Sequence, residues 1–192
     1  KLELSTELMR PKNILGNSGA MQKFYRELAK AAPLSTPIFL RGATGTGKEL
    51  AARAVFESND AFSERFNVVN CAALPDYSLV GEIFGYEKDS PELGLSAKEG
   101  LLEKYPHSTF FFDEVSEISL PAQKMIADFL SVGRFRRLNG SAEISAKARM
   151  IFASSIDIEK LLEQKLFDEN LYAAISQNMI YLPALRDRKS DK

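Results

Sequence analysis

Apolar positions along this chain follow two alternating patterns: short continuous runs, and longer segments in which an apolar residue recurs at every third or fourth position. The helical spacing is clearest over residues 20–32, which lie between Ser18, a residue type that caps helix N-termini, and Pro33, a residue type that ends helices. The apolar positions of this segment are Met21, Phe24, Leu28 and Ala31. Their spacing predicts a helix with one buried face.

Five continuous apolar runs predict strands. They occupy residues 38–40, 66–69, 110–112, 150–153 and 179–182. Helical patterns lie between and beside them, at residues 49–58, 78–84, 125–132, 158–166 and 171–175. Strands that stay apolar throughout are typical of a parallel sheet with helices on both faces, because neither face meets water. The pattern therefore predicts an α/β fold in which a five-stranded parallel sheet lies between helices. Two stretches rich in glycine, serine and charge, 85–100 and 133–147, are expected to leave this sheet as excursions.

The composition limits the class of protein. Hydrophobic residues make up 45% of the 192 positions and charged residues 27%, which excludes a mostly disordered or collagen-like chain. No apolar run approaches the roughly 18 residues that a membrane helix needs, so we expect a soluble protein without a membrane partner. The 25 basic and 26 acidic residues leave a formal charge of −1, so any contact with nucleic acid would have to be local.

Cysteine and histidine are nearly absent. Cys71 alone cannot form an internal disulfide, and with His107 as the one histidine a zinc site of the Cys and His type is excluded. This usage fits a reducing, cytoplasmic compartment. The lysine at position 1 and the charged run at residues 188–192 indicate a segment of a longer protein.

A glycine-rich loop follows the first predicted strand and opens the next helix. Its residues are Gly42, Ala43, Thr44, Gly45, Thr46, Gly47 and Lys48, followed by Glu49. Glycines at this spacing let backbone N–H groups surround an anion, and the lysine supplies a positive charge for the β and γ phosphates of a nucleotide. Because a strand and a helix flank the loop, we expect an ATP or ADP site rather than a structural turn. Glu49 stands where a serine or threonine hydroxyl usually binds magnesium.

Two carboxylates follow the apolar run at residues 110–112. Asp113 is predicted to hold Mg²⁺, directly or through water, because the acid that serves a phosphate loop belongs at the carboxyl edge of the sheet. Glu114 is predicted to orient and deprotonate the attacking water as a general base. A solvated strand end is the alternative interpretation, which the phosphate loop upstream makes the weaker one.

Several segments occur in the order and with the residues of one family. They are residues 45–54 (GTGKELAARA), 70–75 (NCAALP), 81–88 (GEIFGYEK), 109–114 (TFFFDE) and 182–186 (LPALR). Over residues 14–188 the sequence resembles the AAA+ domain of sigma-54-dependent bacterial transcription activators, in which a glutamate at the position of Glu49 is normal. The resemblance implies a P-loop NTPase fold of the AAA+ class, a Rossmann-like α/β subdomain whose helical lid is largely absent from this chain.

The resemblance also implies a domain organisation and partners. Residues 1–13 would be a leader, residues 14–183 the nucleotide-binding subdomain, and residues 184–192 the start of a hinge to a lid and a DNA-binding domain beyond this chain. Copies would assemble through their AAA+ faces into a ring or dimer, and DNA would be bound by the missing domain. A receiver or other sensory domain often precedes this one, as in response regulators of two-component systems.

Further site residues follow from the resemblance. Asn70 matches the polar residue that holds the catalytic glutamate, here Glu114, until the nucleotide state releases it; capping of a strand end is its alternative role. Ile14, Leu15 and Gly16 match the segment that lines the adenine pocket. ATP or ADP with Mg²⁺ are the cofactors that the resemblance implies.

The loop that touches sigma-54 in this family departs from the family pattern. Where the family carries Gly-Ala-Phe-Thr-Gly-Ala after the residues that match Glu87 and Lys88, this chain has residues 89–94 (DSPELG). Two acids and a proline thus replace a flexible apolar tip with its aromatic side chain, while the spacing to Gly100 is kept. We expect contact with sigma-54 to be lost or greatly weakened; another sigma factor of RNA polymerase stays a candidate partner.

Residues tied to hydrolysis depart as well. Ser155 replaces the asparagine that senses the γ phosphate, and Asp168 and Ala174 replace two arginines that reach the neighbouring subunit's site. An arginine finger contributes on the order of 10³ to 10⁵ in rate, or roughly 4 to 7 kcal/mol of barrier. Lys165 is a candidate substitute, although an ordinary solvated lysine is the favoured interpretation. The sequence therefore predicts a nucleotide binder with little or no turnover, in which Glu114 and Asn70 are vestigial.

Three hypotheses stay open. The leading one is a nucleotide-binding regulatory module of a bacterial transcription factor that has lost remodelling. The alternative is an active ATPase that remodels sigma-54 RNA polymerase or another target through a divergent loop. The third is an oligomerisation domain that binds no nucleotide.

The basic cluster of Arg134, Arg136 and Arg137 is predicted to contact a neighbouring subunit rather than nucleic acid, because the family has a pore-facing hairpin there.

Overall fold

A computed structural model describes residues 16–73, 75–88 and 96–187. The strands, in chain order, are β1 Ile38–Arg41, β2 Phe66–Asn70, β3 Gly85–Tyr86, β4 Lys98–Glu99, β5 Thr109–Asp113, β6 Arg134–Phe135, β7 Ile144–Ser145, β8 Arg149–Ser154 and β9 Met179–Tyr181. The helices are α1 Gly19–Ala31, α2 Lys48–Glu57, α3 Asp76–Phe84, α4 Leu101–Lys104, α5 Leu120–Val132, α6 Ile158–Glu163 and α7 Glu169–Ile175. No helix in these ranges is long and apolar enough to cross a membrane.

A five-stranded parallel sheet forms the centre of the molecule, in the order β2, β5, β8, β1, β9. Each of the five predicted strands is found in it, which confirms the α/β class and the parallel sheet. β2, β5 and β8 are neighbours in the sheet and follow one another as sheet strands along the chain, whereas β1 lies between β8 and β9. Parallel neighbours of this kind need crossover connections, which here contain helices. The pairing places β8 between the strand that leads into the phosphate loop and the strand that ends in Asp113.

Alternate residues of the central strands enter two separate hydrophobic cores, one on each face of the sheet. Phe111 packs with α1 and α2, whereas its neighbours Phe110 and Phe112 pack with α3, α5 and α7. Strands covered on both faces have no position that must be polar, so their sequence reads as a continuous apolar run. This packing is the physical reason that the strands were recognisable from the sequence.

Helix boundaries differ from the predicted ones where polar or irregular residues lie at a helix end. Helix α5 begins at Leu120, five residues before the predicted start, because Ser119 precedes a first turn that contains Pro121 and little apolar signal. Helix α6 stops at Glu163, three residues early, and Lys165 just after it takes a left-handed conformation with a φ of 57°. Helix α1 starts as expected, with the Ser18 hydroxyl accepting a hydrogen bond from Met21 N at 3.4 Å.

Both predicted excursions from the sheet are hairpins. The first pairs β3 with β4 and the second pairs β6 with β7. They contact each other through Leu138, whose N–H donates to Gly85 O at 2.9 Å and whose carbonyl accepts from Glu87 N at 3.0 Å. Residues 89–94, the divergent loop, lie outside the described residues.

Arg149, at the start of β8, is fully buried and ties the sheet to the end of α1. Its guanidinium donates to the carbonyl oxygens of Ala32 at 2.7 Å and Ala31 at 2.9 Å. A cation at a helix C-terminus satisfies carbonyls that the helix itself leaves unpaired. Burial lowers the pKa of Arg149 to about 10.

Candidate functional site

The carboxyl ends of three neighbouring strands create the candidate site. Because β8 lies between β1 and β5, the segments that follow these strands meet at one edge of the sheet. Arg41 is level with Ser154 in the pairing of β1 and β8, which fixes the height of the phosphate loop relative to Ser155. Parallel α/β sheets bind ligands at this edge.

The loop between β1 and α2 is folded tightly on itself. Gly45 and Gly47 have φ angles of 77° and 99°, a left-handed region that residues with a side chain rarely adopt. Both the N–H and the hydroxyl of Thr46 donate to Ala43 O, at 3.2 and 2.8 Å. The residues Ala43, Thr44 and Gly45 form the exposed rim of the loop, and Thr46 is buried beneath it. The loop thus has the shape that the glycine spacing predicts.

Helix α2 begins directly after this loop and points its N-terminus at it. Gly47 occupies the N-cap position, where no side chain accepts a hydrogen bond from the first-turn N–H groups. These N–H groups and the helix dipole favour an anion at this position. Glu49, in the first turn, lies along the helix surface and accepts from Arg53 at 2.8 and 3.0 Å. Its carboxylate therefore forms an i, i+4 ion pair in this structure.

Lys48 provides the positive charge of the site. Its side chain is only 6% exposed, and Nζ donates to Gly42 O at 3.0 Å and Ala43 O at 3.5 Å. Nζ also pairs with Glu114 Oε1 at 3.3 Å. The lysine is held over the mouth of the loop, next to the carboxylate that follows β5.

Glu114 is held from two sides. Besides its contact with Lys48, its second oxygen, Oε2, accepts from Ser155 N at 2.8 Å and from Ser155 Oγ at 2.9 Å. Its backbone is left-handed, with φ 56° and ψ 59°, a conformation that costs a residue other than glycine about 1 kcal/mol or more. Strained backbone of this kind clusters at active sites and switch regions, although Asn139 and Lys165 have similar φ angles here.

Asp113 ends β5 and is half-buried beside Glu114. Burial raises the pKa of the Asp113 carboxyl, and the negative charge of Glu114 raises it further. A hard cation with oxygen ligands would relieve this concentration of negative charge. Within the described residues, however, no three acidic, histidine or cysteine side chains group together as metal ligands. Asp113 is the residue that would hold such a cation.

Asn70 lies at the end of β2, on the far side of β5 from the phosphate loop. Its amide oxygen accepts a hydrogen bond from Ala72 N at 3.1 Å, which closes the turn after the strand. Ser155, and not Asn70, donates to Glu114 in this structure. The geometry of Asn70 is therefore that of a strand-end cap, the alternative role considered for it.

The predicted adenine-pocket segment is described only in part. Ile14 and Leu15 lie outside the described residues. Gly16 is buried, three positions before the start of α1.

The segment in which the resemblance implies arginine fingers, and in which this chain was expected to lack them, caps a helix in this structure. Asp168 is the N-cap of α7, and its Oδ1 accepts from Asn170 N at 3.0 Å and Leu171 N at 2.9 Å. Only 8% of Asp168 is exposed. Ala174 is half-buried on the same helix, and Lys165 is exposed in the turn before it.

Gln123 is a buried polar residue that the sequence analysis missed. Its side chain accepts from Asp168 N at 2.7 Å and donates to Ile118 O at 2.7 Å. It therefore links the segment after Glu114 to the N-terminus of α7. The predicted helix began at residue 125, so the sequence pattern did not place Gln123 on a buried helix face; the helix of the structure begins at Leu120.

Arg41 was missed as well. Its guanidinium donates to Glu159 at 2.7 Å, to Asp157 at 3.1 Å and to the hydroxyl of Tyr181 at 3.1 Å. Tyr172 donates to the same Glu159 oxygen at 2.8 Å. Because Arg41 directly precedes Gly42, this network anchors the start of the phosphate loop to α6 and β9.

The basic cluster in the second hairpin is largely compensated within the chain. Arg134 pairs with Glu143 at 3.1 Å and Arg137 with Glu103 at 2.7 Å. Ion pairs of this kind reduce the local positive field that a nucleic acid would meet.

Comparisons with known proteins agree with this geometry. The sequence model of the sigma-54 interaction domain matches residues 14–181. The chain is 36% identical to the Nif-specific regulatory protein of Bradyrhizobium diazoefficiens, over 93% of this chain and 31% of that protein. It is 35% identical to the transcriptional regulator VasH of Vibrio cholerae, over 94% of this chain and 34% of that protein. The chain thus spans about a third of the length of these curated relatives.

Solved structures show the same architecture. A crystal structure of NtrX from Brucella abortus in complex with ATP superposes with a TM-score of 0.83 and 27% identity, covering 99% of this chain and 41% of that one. The P-loop NTPase domain of the sigma-54 transport activator from E. coli superposes with a TM-score of 0.61 at 15% identity, a likeness of fold alone. The fold is that of a P-loop NTPase of the AAA+ class.

Proposed function

This chain belongs to the sigma-54 interaction domain family of bacterial transcription regulators, and we propose that it is a regulatory module that binds ATP or ADP and hydrolyses ATP weakly or not at all. Binding in the ground state requires the backbone donors of the loop and one cation. Gly47 leaves the N-terminus of α2 uncapped by a side chain, and the buried Lys48 lies over the loop. This arrangement supports nucleotide binding.

The role of Asp168 is the observation that carries the expected loss of hydrolysis. A carboxylate that caps α7 stands where family members have an arginine, and Ala174 offers no charge at the second position. A neighbouring copy would therefore present no guanidinium from this segment to the γ phosphate. Glu114 alone cannot replace the roughly 4 to 7 kcal/mol of barrier lowering that such an arginine supplies.

Mg²⁺ would bind at the same site, with few protein ligands. Asp113 would hold the ion, directly or through water, and the ion would neutralise part of the phosphate charge. The hydroxyl that usually joins it is absent, and Glu49 is engaged with Arg53.

Weak contact with sigma-54 is part of the same proposal. The hairpin of β3 and β4 that leads into the divergent loop is anchored through Leu138. The loop itself, residues 89–94, carries Asp89, Pro91 and Glu92 in place of an apolar tip. Regulation would then act through the nucleotide-dependent assembly of copies. The assembled protein would work with another sigma factor or as a repressor, and a separate domain would bind DNA.

The proposed organisation of the chain assigns residues 14–183 to the nucleotide-binding subdomain. Residues 1–13 would be a leader, and residues 184–192 would begin the hinge to a lid. The family match ends near the same point, at residue 181.

Calorimetric titration of ATP and ADP with magnesium, together with a phosphate-release assay over a range of protein concentrations, tests the proposal. We expect heat of binding for both nucleotides and phosphate release at the level of buffer. Glu114→Gln should leave that release unchanged, because there is no turnover to remove.

Two results would overturn the proposal, each in favour of another hypothesis. Steady phosphate release that rises with assembly and disappears in Glu114→Gln would indicate an active ATPase; its loss in Lys165→Ala would identify Lys165 as the substitute cation. No heat of binding with either nucleotide would indicate an oligomerisation domain that does not use the loop.

A further inference from the structure

Glu114 lies where it competes for the cation of the nucleotide site. One carboxylate oxygen is 3.3 Å from Lys48 Nζ, and the other accepts two hydrogen bonds from Ser155. Both oxygens are thereby used, and the side chain is only 25% exposed. The carboxylate occupies a fixed position against the charge that an incoming phosphate needs.

The strand order explains why Ser155 has this position. β8 lies between β1 and β5, so the first residue after β8 sits between the loop and Glu114. Its backbone N–H and its hydroxyl point to the same oxygen, at 2.8 and 2.9 Å. Hydrogen bonds to a charged acceptor are stronger than neutral ones, so the pair of donors holds the carboxylate in place.

We propose that Ser155 is a positioning residue that sets nucleotide specificity: it holds the Glu114 carboxylate against Lys48, so that the site binds ADP in preference to ATP. The inference deepens the proposed function and rests on nucleotide binding, though not on the absence of hydrolysis. By family resemblance Ser155 marks the loss of a γ-phosphate sensor, whereas its two hydrogen bonds to Glu114 give it a role of its own.

The preference for ADP follows from charge. Lys48 serves both the β and the γ phosphate, but only the γ phosphate of ATP adds negative charge beside the carboxylates of Glu114 and Asp113. A carboxylate that cannot move away repels this phosphate at short range. ADP places less negative charge there, so the position of Glu114 affects ADP less.

The test is calorimetric titration of ADP and of a non-hydrolysable ATP analogue, both with magnesium, into the wild-type chain and four variants. The variants are Ser155→Ala, Ser155→Thr, Glu114→Gln and the double variant Ser155→Ala with Glu114→Gln. Use of the analogue separates this inference from the question of hydrolysis. Thermal unfolding of each variant checks that the fold is retained.

We expect the wild type to bind ADP at least threefold more tightly than the analogue. Ser155→Ala should tighten analogue binding about threefold to tenfold and change ADP binding less than twofold, since the backbone N–H of residue 155 remains. Ser155→Thr keeps the hydroxyl and should restore the wild-type ratio. Glu114→Gln should tighten analogue binding tenfold or more, and adding Ser155→Ala to it should change nothing further.

Three results would overturn the inference. The first is an equal change in ADP and analogue affinity in Ser155→Ala, which a merely structural role would produce. The second is an effect of Ser155→Ala that persists in the Glu114→Gln background, because Ser155 would then not act through Glu114. The third is no binding of either nucleotide in any variant, which would overturn the proposed function as well. Phosphate release from ATP, with the expected affinity ratios intact, would overturn only the proposed lack of turnover and would leave this inference standing.

Discussion

By family resemblance, the phosphate loop and the segment of residues 167–175 would serve the same nucleotide, and this chain keeps the residues of the loop while Asp168 and Ala174 depart from the expected arginines. The loop acts mainly through backbone N–H groups, whose direction follows from the turn between β1 and α2. In the family, the segment that matches residues 167–175 acts through the tip of a long arginine side chain. The fold of the segment does not require that side chain. A function carried by backbone shape persists as long as the fold does, whereas a function carried by a single side chain is lost with one substitution.

Asp168 stabilises the helix at a position where the resemblance implies an arginine. An arginine at the N-cap of α7 would leave the first N–H groups of the helix without the acceptor that Asp168 now supplies to Asn170 and Leu171. The segment thus contributes stability, and we propose that it contributes no cation to a neighbouring site. Lys48 is the contrasting case, because its charge interacts with Glu114 and with the loop carbonyls.

Removal of the lysine should have the largest effect. We expect Lys48→Ala to weaken ATP binding at least about 100-fold, equivalent to about 2.8 kcal/mol, because the only buried cation of the loop disappears while the carboxylates remain. Isothermal titration with ATP and magnesium measures the change. Lys124→Ala, at an exposed position of α5, is the matched control and should bind as the wild type does. Binding within about threefold of wild type in Lys48→Ala would mean that nucleotide does not occupy the loop.

Restoration of a cation to α7 should have the next largest effect. Ala174→Arg keeps the cap at Asp168 and should raise phosphate release at least about tenfold at protein concentrations that allow copies to associate, since a complete arginine finger contributes far more. The affinity for ATP should stay within about twofold.

The neighbouring position provides the control. Ala173→Arg adds the same charge to the same helix, about 100° around its axis, and should not raise phosphate release. An equal rise in both variants would indicate a general effect of charge. No rise in Ala174→Arg, in a preparation shown to associate, would mean that the missing arginine is not what limits hydrolysis.

The sequence was most informative where one feature of the chain determines the structure. The five strands were recognisable because both faces of the sheet are buried, and the loop at Gly45, Gly47 and Lys48 was recognisable because this glycine spacing favours a tight turn between a strand and a helix. In each case the signal lies within a few consecutive residues. No knowledge of distant contacts was needed.

The contact between Ser155 and Glu114 depends on strand order, which consecutive residues do not encode. The two residues are 41 positions apart and meet only because β8 pairs beside β5. Asn70 was assigned to Glu114 through family resemblance; β2 pairs with β5 and places Asn70 level with Asp113, and the assignment stays a prediction. Asp168 is different, since an aspartate just before a helical pattern is an N-cap signal that the sequence did contain.

Loss of the cap at α7 should have the smallest of the three effects, and it concerns stability. We expect Asp168→Ala to lower the free energy of unfolding by about 1 to 2 kcal/mol, because the buried N–H of Leu171 and the partly buried N–H of Asn170 lose their acceptor. Urea unfolding monitored by circular dichroism measures this change, and the affinity for ATP should stay the same. Asp168→Asn, which retains an acceptor oxygen, should recover most of the loss, and Asp128→Ala on the exposed side of α5 should cost less than about 0.5 kcal/mol. Unchanged stability in Asp168→Ala together with weaker ATP binding would reverse the assignment, and would make the segment part of the nucleotide site after all.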